Sequence, residues 1–126
     1  WAHESEMRQR AIDFQYTIQL PTQLPFSDVD LTSILSNALE NAMTAVAPLP
    51  PDQRHVRLDM HMNGSKMLLS MKNTFAQRPS LRDGLPQTAE AGHGFGTQSI
   101  RYVAEKLNGH CQFSIVDEWF VLQVIL

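Results

Sequence analysis

The chain has 126 residues, 43% of them hydrophobic and 18% charged, a composition that fits one globular domain with a single core and excludes a disordered or membrane-spanning chain. A formal net charge of -3 excludes the general basic surplus that nucleic acid or an anionic lipid surface would require. One cysteine, Cys111, excludes an internal disulfide; in the run Cys111-Gln-Phe-Ser-Ile115 it reads as a buried free thiol, at home in a reducing cytosol.

The chain opens at Trp1 rather than a methionine, as a fragment or processed piece of a longer protein would. Its first ten residues are polar and no run approaches eighteen apolar residues, so neither a secretory signal nor a transmembrane helix lies within the sequence. Residues 3–10 read as the tail of a helix or a linker. Residues 11–20 alternate strictly, with Ile12, Phe14, Tyr16, Ile18 and Leu20 on one side, and predict a half-buried strand. Pro21 and Pro25 end it, and Ser27, Asp28 and Asp30 are candidate N-caps for the next element.

From Leu31 the apolar residues Leu31, Ile34, Leu35, Ala38, Leu39, Ala42 and Val46 keep the three-and-four spacing of an amphipathic helix, which Pro48, Pro50 and Pro51 must stop. Val56, Leu58, Met60 and Met62 alternate, as do Met67, Leu69 and Met71, and Asn63-Gly64 between them predicts a hairpin. Residues 74–92 hold two prolines and mixed charge without clear periodicity, a length that points to a lid or binding loop. Residues 97–107 predict a second helix, with Ile100, Val103, Ala104 and Leu107 inward and Asn108-Gly109 as its C-cap. Strands over 111–116 and 119–126 follow, joined at Asp117-Glu118. The order predicts an α+β fold in two layers, a mostly antiparallel sheet of about five strands with helices on one face.

At 100° per residue, Asn37 and Asn41 stand one turn apart along the edge of the first helix's apolar stripe, with Glu40 on the solvent side. Stacked amides at a core boundary can cap a loop or a strand edge. A carboxamide oxygen is also a neutral, hard ligand for Mg²⁺ when a triphosphate supplies the charge. Gly92, Gly94 and Gly96 stand before a helix start, where free N–H groups and the positive dipole end favour an anion, and bare backbone lets phosphate approach. Either feature alone fits a structural role. Together they outline a nucleotide site.

Leu35-Ser-Asn-Ala-Leu-Glu-Asn-Ala42 resembles the N-box, and Gly92-His-Gly-Phe-Gly-Thr-Gln-Ser-Ile100 the second glycine box, of the GHKL ATPase superfamily. Sensor histidine kinases of the peptide-pheromone, quorum-sensing type are the nearer likeness, over nearly the whole chain. The resemblance implies a Bergerat ATP-binding fold over residues 11–126, with residues 1–10 as a linker from upstream dimerisation helices. ATP and Mg²⁺ would lie between the lid and the first helix. By the same likeness Asn41 is the magnesium ligand, and Gly92, His93, Gly94, Phe95, Gly96 and Thr97 belong to the nucleotide-binding loop. Asn37 stands where hydrolytic members carry a water-activating glutamate; an amide has no titrating group near neutrality, which favours phosphoryl transfer to a protein side chain.

The first glycine box is missing. Met71-Lys-Asn-Thr-Phe75 ends the strand in its place, and Asn73 takes the adenine-reading role, since an amide can both donate and accept. Thr97 and Gln98 replace the usual leucine and lysine, removing one phosphate contact, and Arg78 and Arg82 in the loop are alternative cations. The partners implied are an upstream dimerisation and phosphoacceptor domain bearing the histidine, and a response regulator. This piece would lie in the cytosol without membrane contact of its own, within a membrane-anchored homodimer. His55, His61 and His110 have no spaced cysteines or carboxylates that complete a zinc site and read as surface residues. Two other functions fit the pattern less fully: a GHKL-fold protein-binding regulator of anti-sigma or degenerate type, and an ATP-hydrolysing clamp, which would need a carboxylate where Asn37 stands.

Overall fold

Strict alternation puts Val56, Leu58 and Met60 of β2 (His55–Asn63) and Met67, Leu69 and Met71 of β3 (Lys66–Asn73) on one face of a sheet, and all six are buried. The computed structural model, which describes residues 2–87 and 95–126, pairs these strands antiparallel around a turn at Gly64, whose φ is +63°. Asn63 itself pairs with Lys66, so the turn falls one residue later than the Asn63-Gly64 dipeptide suggests. β7 (Trp119–Ile125) joins β3 and β6 (His110–Val116) joins β7, both antiparallel; β1 (Asp13–Gln19) joins β2 in parallel. The resulting order is β1-β2-β3-β7-β6. The one parallel pair arises because a helix intervenes between β1 and β2 as a crossover.

That crossover is α2 (Asp28–Val46), which buries Ile34, Ala38, Leu39, Ala42, Met43 and Val46. Ser27, of the three candidates, is its cap: the Ser27 hydroxyl accepts from the Asp30 N–H at 3.1 Å, while Asp28 and Asp30 sit in the first turn, where negative charge suits the dipole. α3 (Phe95–Lys106) buries Ile100, Val103 and Ala104 beside it. Lys106 Nζ meets Asp30 Oδ1 at 2.7 Å, so the end of α3 lies against the start of α2 and the two helices run antiparallel. α3 closes with Asn108 in the left-handed region (φ +62°) and the Gly109 N–H donating to the Ala104 carbonyl at 2.8 Å. Position 109 must be glycine because a Cβ there would run into the Ile125 carbonyl oxygen.

Of the two readings for the polar stretch at the start the structure has the helix, α1 (Ala2–Gln9), which drives Met7 fully into the core. Two expectations are revised. β1 is two residues shorter at its start and one at its end than the alternation suggests, and its Tyr16 and Ile18 are 45% and 41% exposed. The helix packed on β1 is α1, about 12 Å of helix against about 23 Å of edge strand, so the far part of the strand's apolar face is uncovered. Cys111 is half-buried rather than buried, and that partial burial pushes its thiol pKa up. Among the described residues no helix is long and apolar enough to cross a membrane.

Candidate functional site

Topology brings three separate stretches of sequence to one end of the sandwich. α2 leads through a single 3-10 turn (Pro51–Gln53) to the start of β2, and the start of β2 pairs with the end of β3 through Val56 and Asn73. α3 runs antiparallel to α2, and its first turn, with Phe95, Gly96 and Thr97, lies against the middle of α2, where Gly96 faces Asn37. Asn41 follows one turn nearer the end of α2, and Asn73 ends β3 beside the start of β2; Gly92, His93 and Gly94 lie outside the described residues.

Asn37 donates from Nδ2 to the Ser33 carbonyl at 2.8 Å. A carbonyl accepts only from the NH2 side of an amide, so this bond fixes the amide and turns Oδ1 outward. It faces Gly96: a Cβ built on that glycine would stand 3.2 Å from Asn37 Oδ1, tighter than ordinary contact. The first helix and the last glycine of the loop therefore touch. Asn41 lies about 6 Å further along α2, half-buried, with no hydrogen bond from its amide among the described residues.

Asn73 follows the same construction. It is only 2% exposed, on the helix-facing side of β3, and its Nδ2 donates to the Thr74 carbonyl at 2.8 Å. Its Oδ1 has no partner among the described residues, and none of their buried side-chain nitrogens or oxygens is left unpaired, so Oδ1 is where this residue meets the surface. At the start of α3, Thr97 is buried and Gln98 exposed, and the N–H groups of this first turn have no helical partner. Glu40 is exposed on the far side of α2, where its angular position puts it.

No three His, Cys, Asp or Glu residues cluster to hold a metal among the described residues. A divalent cation at this end would thus take neutral amide oxygen from the chain and charged oxygen from its ligand. That donor set fits Mg²⁺ bound with polyphosphate and fits neither zinc nor a charge-rich calcium site.

The long loop contains a hairpin that periodicity did not reveal. β4 (Leu81–Arg82) and β5 (Leu85–Pro86) pair around Asp83 and Gly84, both left-handed at φ +54° and +79°. The signal was present as an Asp-Gly dipeptide flanked by leucines. Leu85 is buried, and Arg101 Nη1 donates to the Asp83 carbonyl at 2.6 Å, fastening the turn to α3. Arg78 and Arg82 are exposed.

The opposite face of the sheet is built differently. Arg57 donates to the Asp13 carboxylate at 2.9 Å and holds its pKa below the usual carboxylate range, with His55 at 3.0 Å adding to the effect. His61 stands 2.8 Å from Asp59, so the two strand histidines are surface residues with one carboxylate each. Lys72 and Arg57 lie 4.8 and 6.0 Å from the Trp119 ring, beside a shallow hollow of about 370 Å³. In this region the cations already have partners within the chain.

A family model described as the GHKL domain matches residues 26–126. The catalytic domain of histidine kinase ThkA, in a nucleotide-free form, superposes with a TM-score of 0.81 at 17% identity, over 99% of this chain and 86% of that one. A second nucleotide-free form of the same domain gives 0.78 at 15% identity, over 99% and 85%. Acinetobacter baumannii histidine kinase AdeS gives 0.71 at 12% identity over 99% of this chain and 58% of that one. No curated protein matches by sequence. At such identities the superpositions establish a shared fold, a five-stranded mixed sheet with the helices packed on it. The family match spans most of the sequence, and with it the chain belongs to the GHKL domain family.

Proposed function

We propose that this domain binds ATP with Mg²⁺ where α2, β3 and α3 meet, and presents the γ-phosphoryl to a histidine on a separate dimerisation and phosphoacceptor domain. It would thus serve as the catalytic domain of a two-component histidine kinase, with a response regulator as the later acceptor. The observation that carries this reading is the Asn37–Gly96 contact, because it sets an amide-bearing helix edge against a bare-backbone helix start. Phosphate suits a helix start. Asn41 would hold the metal, its amide making no hydrogen bond among the described residues. The chemistry such a metal would supply at Asn41 is neutralisation of the phosphate charge.

Asn73 offers an acceptor, since the bond from its NH2 to Thr74 orients the amide and leaves Oδ1 available, and an acceptor complements the exocyclic amino group of adenine. Asn37 has no proton to take up near neutrality and its NH2 is committed to Ser33. Water activation therefore has no base at this position, which favours transfer to a protein nucleophile over hydrolysis. The domain's share of the work is to bind, orient and neutralise, with the nucleophile supplied from elsewhere.

Calorimetric titration with ATP, with and without Mg²⁺, tests the reading on the chain and on Asn41→Ala. Wild type is expected to bind, and Asn41→Ala to lose the Mg²⁺-dependent part, about tenfold in affinity. No binding at millimolar ATP overturns the reading. The exposed Gln98, which stands where a lysine is usual, favours as second reading a protein-binding regulator on the same fold; binding of a protein partner by a chain that takes no nucleotide is its signature.

A further inference from the structure

One side chain holds the tip of the β4–β5 hairpin. With Asp83 and Gly84 both left-handed, the Asp83 carbonyl reaches Arg101 Nη1 at 2.6 Å, and Gly84 leaves space beside the same nitrogen, where a Cβ would stand 3.6 Å away. A guanidinium on a carbonyl is a charge-assisted bond, stronger than a neutral one. Leu85 is buried next to it. Arg101 lies four residues after Thr97 on α3, hence on the same side of that helix as the site's helix start.

The near end of the same segment is also tied. The Thr74 N–H donates to the His55 carbonyl at 3.1 Å, and its hydroxyl donates to the Gln53 carbonyl at 2.7 Å. Residues 74–87 thus run from the end of β3, directly after Asn73, to an anchored hairpin on α3. The loop expected to be a lid is fastened at both ends of this stretch.

We propose that Arg101 is a positioning residue for nucleotide binding. By pinning the Asp83 carbonyl to α3 it keeps residues 74–87 as a preformed wall beside the site, so the ligand does not have to order that stretch as it binds. This proposal rests on the ATP-binding reading above. A released hairpin would still belong to a folded domain, because the five-stranded sheet does not include it and Leu85 is the one residue of β4 and β5 in the buried core.

Two readouts test it on wild type, Arg101→Ala, Arg101→Lys and Lys106→Ala: amide hydrogen exchange over residues 81–87 without nucleotide, and calorimetric ATP affinity with Mg²⁺. Arg101→Ala is expected to speed exchange in the hairpin and to weaken ATP, each by about tenfold, with Arg101→Lys restoring part of both. Lys106→Ala removes a tie at the other end of α3 and is expected to lower the melting temperature without changing either readout. Unchanged hairpin exchange in Arg101→Ala, or faster exchange with unchanged ATP affinity, overturns the proposal while leaving the nucleotide reading intact. A wild-type chain that takes no ATP overturns both.

Discussion

The two ends of the α2–α3 pair use similar polar groups to opposite effect. At the end where α2 begins, Ser27 caps the helix, Asp30 pairs with Lys106, and Asn108 with Gly109 closes α3, so donors and acceptors meet one another. At the other end Asn37 and Asn73 each donate an N–H to a nearby carbonyl and leave their oxygens outward, and the Asn41 amide makes no hydrogen bond among the described residues. A set of polar groups that satisfy each other makes a joint. A set in which acceptor oxygens are left over beside a helix start is what a ligand-binding site would need.

The largest expected effect comes from breaking the joint at its tightest point. Gly109→Ala puts a methyl group into the Ile125 carbonyl, and an overpacked backbone contact of this kind is expected to cost about 3 kcal/mol or more. Thermal unfolding should show a melting temperature lower by about 10 °C; an unchanged value would mean that the strand and the helix end are not so closely apposed.

At the receptor end, Asn73→Asp sets a buried carboxylate against the Thr74 carbonyl in place of a donor. Burial and the facing carbonyl raise the new group's folded pKa, so the destabilisation is present at pH 7 and shrinks as the pH falls and the carboxyl becomes a donor again. About 2 kcal/mol at neutral pH is expected from urea unfolding. A loss that grows on acidification would contradict the assigned amide orientation.

The smallest effect belongs to the exposed joint. Lys106 lowers the pKa of Asp30 from its usual 3.8, and Asp30 raises that of Lys106 from 10.5. A depressed carboxylate contributes stability above its unfolded pKa and loses it as pH falls through the folded value; a raised lysine contributes below its unfolded pKa and loses it as pH rises through the folded value. The melting-temperature difference between wild type and Asp30→Asn should therefore be widest from roughly pH 5 to 9 and vanish at the extremes. A difference independent of pH would assign the effect to packing instead.

Much of the sandwich was legible because periodicity reports which face of an element is apolar. The α2 stripe from Ile34 to Val46 and the alternation in β2 and β3 each found their buried side. Periodicity does not report what covers that face, which is why Tyr16 and Ile18 read as half-buried yet stand exposed on the edge strand. It also left α1 open between a helix tail and a linker, since one buried methionine in eight mostly polar residues makes no stripe. The site was legible in part: helical spacing set Asn37 and Asn41 on one edge, while the motif likeness paired that edge with the glycine run. Their contact through Gly96, and the bonds to Ser33 and Thr74 that orient two amides, depend on backbone positions that no local pattern encodes. Arg101 leaves no signal in the helical pattern, since its partner is a main-chain carbonyl eighteen residues earlier.

The most direct measurement follows the side-chain amide resonances of Asn37, Asn41 and Asn73 by nitrogen–proton correlation spectroscopy as ATP and Mg²⁺ are added. The account predicts that these three, with the Gly96 and Thr97 main-chain amides, move together and saturate, while the Asp30 and Lys106 amides and the Trp119 indole stay in place. Saturating shifts at Trp119 or around Asp30, with the three asparagine side chains unmoved, would put the ligand elsewhere and contradict it.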